Sequence, residues 1–193
     1  MANTNNRLAT YPFVVDQSKM IEQMAAFGWR TATKPEIPLM LDLGEKLVGD
    51  RLIAPATLAH LHDLTGIAAW VFGDPIAGLV ISVPLSELGL RAVEANQFVA
   101  QSPDEKHIAA AGELCAALYI GIYAGETKEA RKAVMSGAGV IRVTVYAQVP
   151  CFARAATADG ARSMESLGWR PAGFGADKLW MQGALIIPEQ QVS

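Results

Sequence analysis

The chain has 193 residues, of which 51% are hydrophobic and 18% are charged, with a formal net charge of −3 at pH 7. This composition predicts a single globular domain over residues 1–193 and gives no basic surface for nucleic acid. The polar first residues and the lack of an apolar run of about 20 residues predict a cytoplasmic protein with neither a secretory signal nor a membrane span.

The first part of the chain predicts a strand followed by three helices. Residues 11–15 are β-prone, and Asp16 is a helix-capping residue type that precedes apolar residues at helical spacing, which end at Gly28. Two further helices are predicted over residues 38–49 and 55–66. Three leucines lie on one stripe of the first of these two helices: Leu39, Leu43 and Leu47.

The next segment predicts a β-hairpin and then a less regular connection. β-prone runs over residues 67–72 and 76–83 flank Gly73 and Asp74, which together form a compact turn signal. Residues 85–112 are polar and mixed, and they predict one short helix before a loop. The apolar positions of that helix are Leu88, Ala92 and Ala95.

A β-α-β pattern is the most informative feature of the chain. It predicts a strand over residues 114–124, a helix over 127–136 and a second strand over 140–146. In such a unit the first turn of the helix directs unpaired backbone N–H groups at the carboxyl edge of the sheet. The pattern therefore predicts a ligand that carries phosphate groups.

The last part of the chain predicts a helix, a strand and a frayed tail. The helix covers residues 157–167 with Gly168 as its stop, and the strand covers residues 178–182. Residues 189–193 form the predicted tail. Three side chains of the helix are expected to point inward: Ala161, Met164 and Leu167.

The two cysteines, Cys115 and Cys151, lie in apolar surroundings and lack the C-x-x-C and histidine spacings of a zinc site. We therefore predict buried, reduced thiols and no metal.

The element order and the segment that ends in Leu167, Gly168 and Trp169 resemble the GNAT acyltransferase superfamily, whose members transfer an acyl group from acyl-coenzyme A to an amine. The resemblance implies an α/β fold with a mixed, mostly antiparallel central sheet flanked by helices on both faces. It also implies acetyl-CoA or another acyl-CoA as co-substrate and a small-molecule or peptide amine as acceptor. Because that fold often pairs sheets across a dimer, it further implies a homodimer.

The resemblance assigns cofactor-binding residues in two groups. Backbone groups at the end of the central strand would bind the pantetheine arm, and the turn beyond it would hold the pyrophosphate. The strand group is Tyr119, Ile120, Gly121 and Ile122, and the turn group is Gly125, Glu126, Thr127 and Lys128. Positive charge near the phosphates would come from Lys128, Arg131 and Lys132.

Two residues are candidates for catalysis. Glu113, at the start of the predicted strand, could act as a general base directly or through water. Tyr119 is separated from Tyr123 by an even number of residues, so the two side chains should share one face of the strand. Either tyrosine could orient the substrate or protonate the leaving thiolate, and Arg154 could reach the cofactor cleft.

The sequence departs from the family pattern at two places. The glycine-rich turn is reduced to Gly125 with the carboxylate Glu126 beside it, and Met164 stands where many relatives place a proton-donating tyrosine. These departures support a second hypothesis, in which the chain is a catalytically silent GNAT-like binding or interaction module.

Overall fold

The computed structural model describes residues 8–185. The strands are β1 Phe13–Val14, β2 Trp29–Thr31, β3 Ala69–Phe72, β4 Gly78–Leu85, β5 Leu114–Cys115, β6 Ala117–Gly125, β7 Cys151–Arg154, β8 Arg170–Pro171 and β9 Leu179–Gln182. The helices are α1 Gln17–Ala25, α2 Glu36–Val48, α3 Pro55–Thr65, α4 Glu87–Glu94, α5 Lys128–Val140 and α6 Ala158–Ser166. No helix within the described range is long and apolar enough to span a bilayer. The predicted tail at residues 189–193 lies outside the described residues.

Within residues 8–185, seven strands form the main sheet in the order β2-β3-β4-β6-β7-β9-β8, while β1 and β5 pair separately. Strands β6 and β7 run parallel, and the other neighbouring pairs in the main sheet run antiparallel. Helices α2, α3 and α4 contribute buried side chains to the core on one face, called here the α2 face. Helices α1 and α5 do so on the other, called the α5 face. The predicted α/β fold class, a mixed and mostly antiparallel sheet with helices on both faces, is confirmed.

Helix caps, glycine stops and turn residues in the sequence predicted most helices and strands correctly. The side chain of Asp16 accepts a hydrogen bond from the backbone N–H of Lys19 at 2.9 Å, which caps α1. Gly49 and Gly66 adopt the left-handed conformation that ends α2 and α3. The predicted hairpin is present as β3 and β4.

The leucine stripe of α2 is not the face that packs on the sheet, because Leu39 is 61% exposed. The buried positions follow the spacing i, i+3, i+4 and i+7 instead: Ile37, Met40, Leu41 and Gly44. A Cβ at Gly44 would lie 2.9 Å from Leu79 Cδ1, so the glycine lets the helix approach the sheet closely. In α6, likewise, the prediction that Leu167 points inward is wrong, since this side chain is 44% exposed.

The predicted strand over residues 140–146 is wrong. Helix α5 reaches Val140 and continues as a π-helical turn, Ile141–Val145. Its β-branched residues favour a strand, but Arg142 is only 7% exposed and donates to four acceptors. Two of them, Tyr146 O and Val149 O, follow the turn, and two belong to Gln182 and Gly183 at the end of β9, which holds the segment helical. The second strand of the β-α-β unit is β7, Cys151–Arg154.

Helix α4 packs on the main chain at His107 through Gly89. A Cβ at Gly89 would lie 2.1 Å from the carbonyl oxygen of His107, whereas one at Gly139 in α5 would meet nothing within 4 Å. We expect Gly89→Ala to lower the free energy of unfolding by about 2–3 kcal/mol through overpacking. Gly139→Ala, the matched control, should raise it by about 0.5–1 kcal/mol. Urea unfolding of both variants checks this, and equal effects would contradict the packing described.

The two thiols are free and buried, as predicted. Burial raises the pKa of Cys115 and of Cys151 to about 12. An unfolded thiol loses its proton near pH 8.5, so the unfolded state binds fewer protons than the folded state between about pH 8.5 and 12. The stability that the buried neutral thiols provide is therefore complete below pH 8.5 and is lost as the pH rises.

We expect the free energy of unfolding to fall by up to about 1.4 kcal/mol per pH unit for each thiol between pH 9 and 10. Urea unfolding at a series of pH values measures this slope. The double variant Cys115→Ala/Cys151→Ala should be less stable at pH 7 but should lose less stability over the same interval. An unchanged slope in that variant would show that other groups cause the alkaline loss.

Candidate active site between two parallel strands

A β-bulge at Gly121 shapes the centre of the sheet. Ile81 of β4 pairs with Ile122, but the next residue, Ser82, pairs with Ile120, which leaves Gly121 as the extra residue in β6. A Cβ at Gly121 would lie 3.1 Å from Ile81 Cγ2, so glycine suits this crowded position.

The bulge reverses the alternation of side chains along β6. Tyr119 packs in the core on the α2 face, whereas Tyr123 packs against the core on the α5 face. The expectation that the two tyrosines share a face is therefore wrong. The even spacing holds for a regular strand, but one extra residue moves every later side chain to the opposite face.

Beyond the bulge β6 has an open edge. The β6–β7 ladder contains three pairs and ends at Ile120 and Ala153, after which no strand within residues 8–185 pairs with this side of β6. The pairing of β6 with β7 therefore stops here, and the unpaired region beside β6 beyond this point is called the gap. Gly121 is exposed at this point.

Hydrogen bonds at both ends of β6 show which main-chain groups face the gap. The N–H of Leu118 donates to Pro150 O, towards β7, at 3.0 Å, and the N–H of Glu126 donates to Ala77 O, beyond the start of β4, at 2.8 Å. Alternation with one shift at the bulge turns the main chain of Tyr123 and Gly125 towards the gap. Of the predicted strand group, Ile120 lies within the ladder and Ile122 pairs with β4.

The open edge leads to the start of α5. Thr127 caps this helix, its hydroxyl accepting the N–H of Ala130 at 3.0 Å. Among the described residues, the N–H groups of Thr127, Lys128 and Glu129 have no hydrogen-bond partner. Three amides at the helix start are therefore free, although the Glu126 amide of the predicted turn group is already bonded.

Gly125 brings the helix start close to the strand end. A Cβ at this position would lie 2.7 Å from Ala130 C and 2.7 Å from Arg131 N. The single glycine of the turn therefore lets α5 lie directly against β6, and larger residues would push the helix away.

The carboxylate of Glu126 is neutralised from α2. Lys46 Nζ lies 2.8 Å from Glu126 Oε1, and Arg131 Nη1 donates to the main-chain oxygen of Glu126 at 2.9 Å. With Lys128 and Lys132 on the first turns of α5, α2 and α5 together supply four cationic side chains to this part of the structure. Sequence reasoning missed Lys46, because it is 80 residues away along the chain and no local signal links it to the turn.

Tyr119 borders a recess of about 60 Å³ on the α2 face, which also reaches Gly121. Most of its wall is apolar, and Arg51 and Gln101 add polar groups. The ring of Phe98 lies 4.9 Å from that of Tyr119, between centroids. The Tyr119 hydroxyl makes no hydrogen bond to any residue in the described range.

Tyr119 carries its proton at neutral pH. Burial raises the pKa of its hydroxyl above the usual value near 10, and the positive charge of Arg154 partly offsets this. Arg154 ends β7, one residue past the last β6–β7 pair. Tyr119 and Arg154 thus combine a proton donor and a cation at the mouth of the gap.

Two other predicted site residues lie elsewhere. Glu113 is exposed in the turn before β5, at the other end of the segment from the gap, and its carboxylate accepts the N–H of Ala110 at 3.0 Å. Met164 of α6 packs partly buried against the core on the α5 face. No cluster of three potential metal ligands occurs among the residues described.

A larger groove of about 540 Å³ lies between α4 and the segment that follows it. The charged side chains that line it are already paired: Arg91 with Glu87 of α4 at 2.9 Å, and Lys106 with Asp104 at 2.8 Å. The gap beside Tyr119 combines free amides, an open strand edge and a proton donor, so it is the better candidate for chemistry.

Comparison with known proteins gives only distant structural likeness. No protein-family model matches the chain. No curated protein matches it either. A solved structure from Corynebacterium glutamicum, described as histone acetyltransferase HPA2 and related acetyltransferase, is 16% identical with a TM-score of 0.48, covering 83% of this chain and 97% of its own. Ard1 from Thermoplasma volcanium is 10% identical with a TM-score of 0.46, covering 82% of this chain and 97% of its own.

Proposed function

We propose that this chain is an acyl-CoA-dependent N-acyltransferase that moves an acyl group, most simply acetyl, from coenzyme A to an amine. The observation that carries the proposal is the open edge of β6, which leads from the bulge at Gly121 to the free amides at the start of α5. This edge, the free amides and the sequence resemblance together support the proposed activity.

The gap suits the shape of an acyl-CoA. A pantetheine arm is extended and carries amides, which can bond to a free strand edge as an added strand does. The main chain of Tyr123 and Gly125 supplies that edge. A pyrophosphate suits the amides of Thr127, Lys128 and Glu129, because a helix start offers unpaired N–H groups and a positive dipole end.

The proposed reaction is direct attack of an amine on the thioester, with Tyr119 at the mouth of the gap as proton donor. The amine nitrogen attacks the thioester carbonyl carbon, a C–N bond forms, and the C–S bond breaks with its electrons leaving on sulfur. Tyr119 then donates its hydroxyl proton to the thiolate and regains a proton from solvent. Because Glu113 lies outside the gap, the proton from the amine passes to water. Tyr119 thus acts as the proton donor to the leaving thiolate, a role that the thioether of Met164 cannot fill.

One observation favours the second function, a silent binding module. The recess beside Tyr119 measures only about 60 Å³, which leaves little room for an acyl group and an amine together. A module that binds coenzyme A without turnover would keep the strand edge and helix start but show no transfer.

Calorimetry with coenzyme A and a mass-spectrometric transfer assay test the proposal together. We expect binding tighter than about 1 mM, which is about −4 kcal/mol, and acyl transfer to at least one amine in a panel. The double variant Lys128→Gln/Arg131→Gln should bind about tenfold more weakly, whereas Arg162→Gln on α6 should bind normally. Binding without transfer would select a silent module that binds coenzyme A. Absence of binding to folded protein would refute the transferase and leave a silent interaction module that has lost the cofactor turn.

A further inference from the structure

One arginine lines the recess beside Tyr119, and a second lies near Tyr119 on the neighbouring strand. Arg51, in the connection between α2 and α3, forms part of its wall. Arg154 lies on the strand next to Tyr119, and its charge acts on the Tyr119 hydroxyl. Both side chains are exposed at the protein surface.

Neither arginine has a carboxylate partner among the residues described. Several other surface cations of this chain are paired, as with Arg30 and Glu36 at 2.5 Å and Lys34 and Asp63 at 2.8 Å. The acid nearest in sequence, Asp50, accepts the backbone N–H of Arg51 and does not bridge to its guanidinium. The guanidinium groups of Arg51 and Arg154 are therefore available to a ligand.

No acidic side chain lines the recess in the part of the chain that the structure describes. Its charged member is Arg51, its polar members are Gln101 and Tyr119, and the remaining walls are apolar. A polyamine or a basic peptide would bring further positive charge towards two unpaired guanidinium groups, which is unfavourable. A carboxylate would bring the charge and the planar acceptor geometry that guanidinium binds best.

We infer that the substrate carries a carboxylate beside a small apolar group, bound by Arg51 and Arg154 with the apolar part against the recess wall. This inference rests on the proposed acyl transfer. The carboxylate can belong to the acceptor, as in an amino acid with a short apolar side chain, or to the acyl chain, as in a dicarboxylic acyl-CoA.

Matched ligand pairs test the inference. L-alanine, L-valine and L-leucine are compared with their amides as acceptors for acetyl-CoA, and succinyl-CoA is compared with butyryl-CoA as donor to a neutral amine. We expect at least tenfold higher kcat/KM for the carboxylate member of one series, which identifies its source. Equal rates within both series, or a preference for spermidine, would overturn the inference.

Arginine variants test which side chains cause the preference for carboxylate ligands. Arg51→Gln and Arg154→Gln should each reduce the preference for carboxylate over amide about tenfold, and the lysine variants should retain part of it. Arg170→Gln is the matched control, because Arg170 is exposed on β8 and is not part of the recess wall. Loss of preference in Arg170→Gln, or its persistence in both Arg51→Gln and Arg154→Gln, would contradict the assignment.

A binding measurement separates this inference from the transferase proposal. Saturation-transfer NMR with the same amino acids and amides does not require turnover. If the chain transfers no acyl group but binds the carboxylate ligands selectively, the transferase proposal fails and the carboxylate site stands. If it transfers acyl groups without carboxylate preference, only this inference fails.

Discussion

Replacing Arg142 with methionine is expected to lower the free energy of unfolding by about 3–5 kcal/mol. The guanidinium of Arg142 donates to Gln182 Oε1 at 2.6 Å and to Val149 O at 3.1 Å, as well as to the carbonyl oxygens of Tyr146 and Gly183. Methionine fills similar space but leaves these acceptors without a donor. Circular dichroism during urea unfolding measures the loss.

The control for this prediction is Arg162→Met on the exposed face of α6. Arg162 pairs with Asp159 at the surface, where an ion pair contributes little, so we expect a change below about 0.5 kcal/mol. Arg142→Lys should recover only part of the stability, because one ammonium cannot reproduce the fork of donors. A loss below 1 kcal/mol for Arg142→Met would show that this arginine does not hold the π-helical turn to β9.

Replacing Tyr119 with phenylalanine is expected to lower kcat about 100-fold with little change in KM for acyl-CoA. Since burial holds the pKa of Tyr119 above 10, wild-type kcat should decline only at a pH above that value, and this decline should be absent in Tyr119→Phe. The hydroxyl has no hydrogen-bond partner among the residues described, so its removal should change the free energy of unfolding by less than about 1 kcal/mol.

Tyr146→Phe is the matched control for catalysis. The Tyr146 hydroxyl is also buried without a partner in the part of the chain described, but it lies in the core on the α5 face. We expect its kcat to equal that of the wild type. If Tyr119→Phe retains full kcat, or if Tyr146→Phe loses as much, Tyr119 is not the proton donor.

Sequence patterns predicted the elements whose structure is determined locally. Asp16 caps a helix by contacts three residues away, and Gly66 ends one because of its own backbone conformation. The strand prediction over residues 140–146 was wrong because the helical state of this segment depends on a hydrogen bond from Arg142 to Gln182, which is 40 residues further along the chain. Local β-propensity carries no information about such a contact.

The candidate site was predicted in outline but not in its details. The β-α-β pattern correctly placed a helix start beside the end of the central strand. The bulge at Gly121 was missed because a glycine in an apolar run does not reveal whether its neighbours stay in register with the next strand. That single residue decides which side chains and main-chain groups face the gap.

A crystal structure of the chain with bound coenzyme A tests the central claim most directly. The account predicts pantetheine along the edge of β6 at Tyr123 and Gly125, with the pyrophosphate on the amides of Thr127, Lys128 and Glu129. Coenzyme A bound elsewhere, or a gap between β6 and β7 filled by the protein's own side chains, would contradict it.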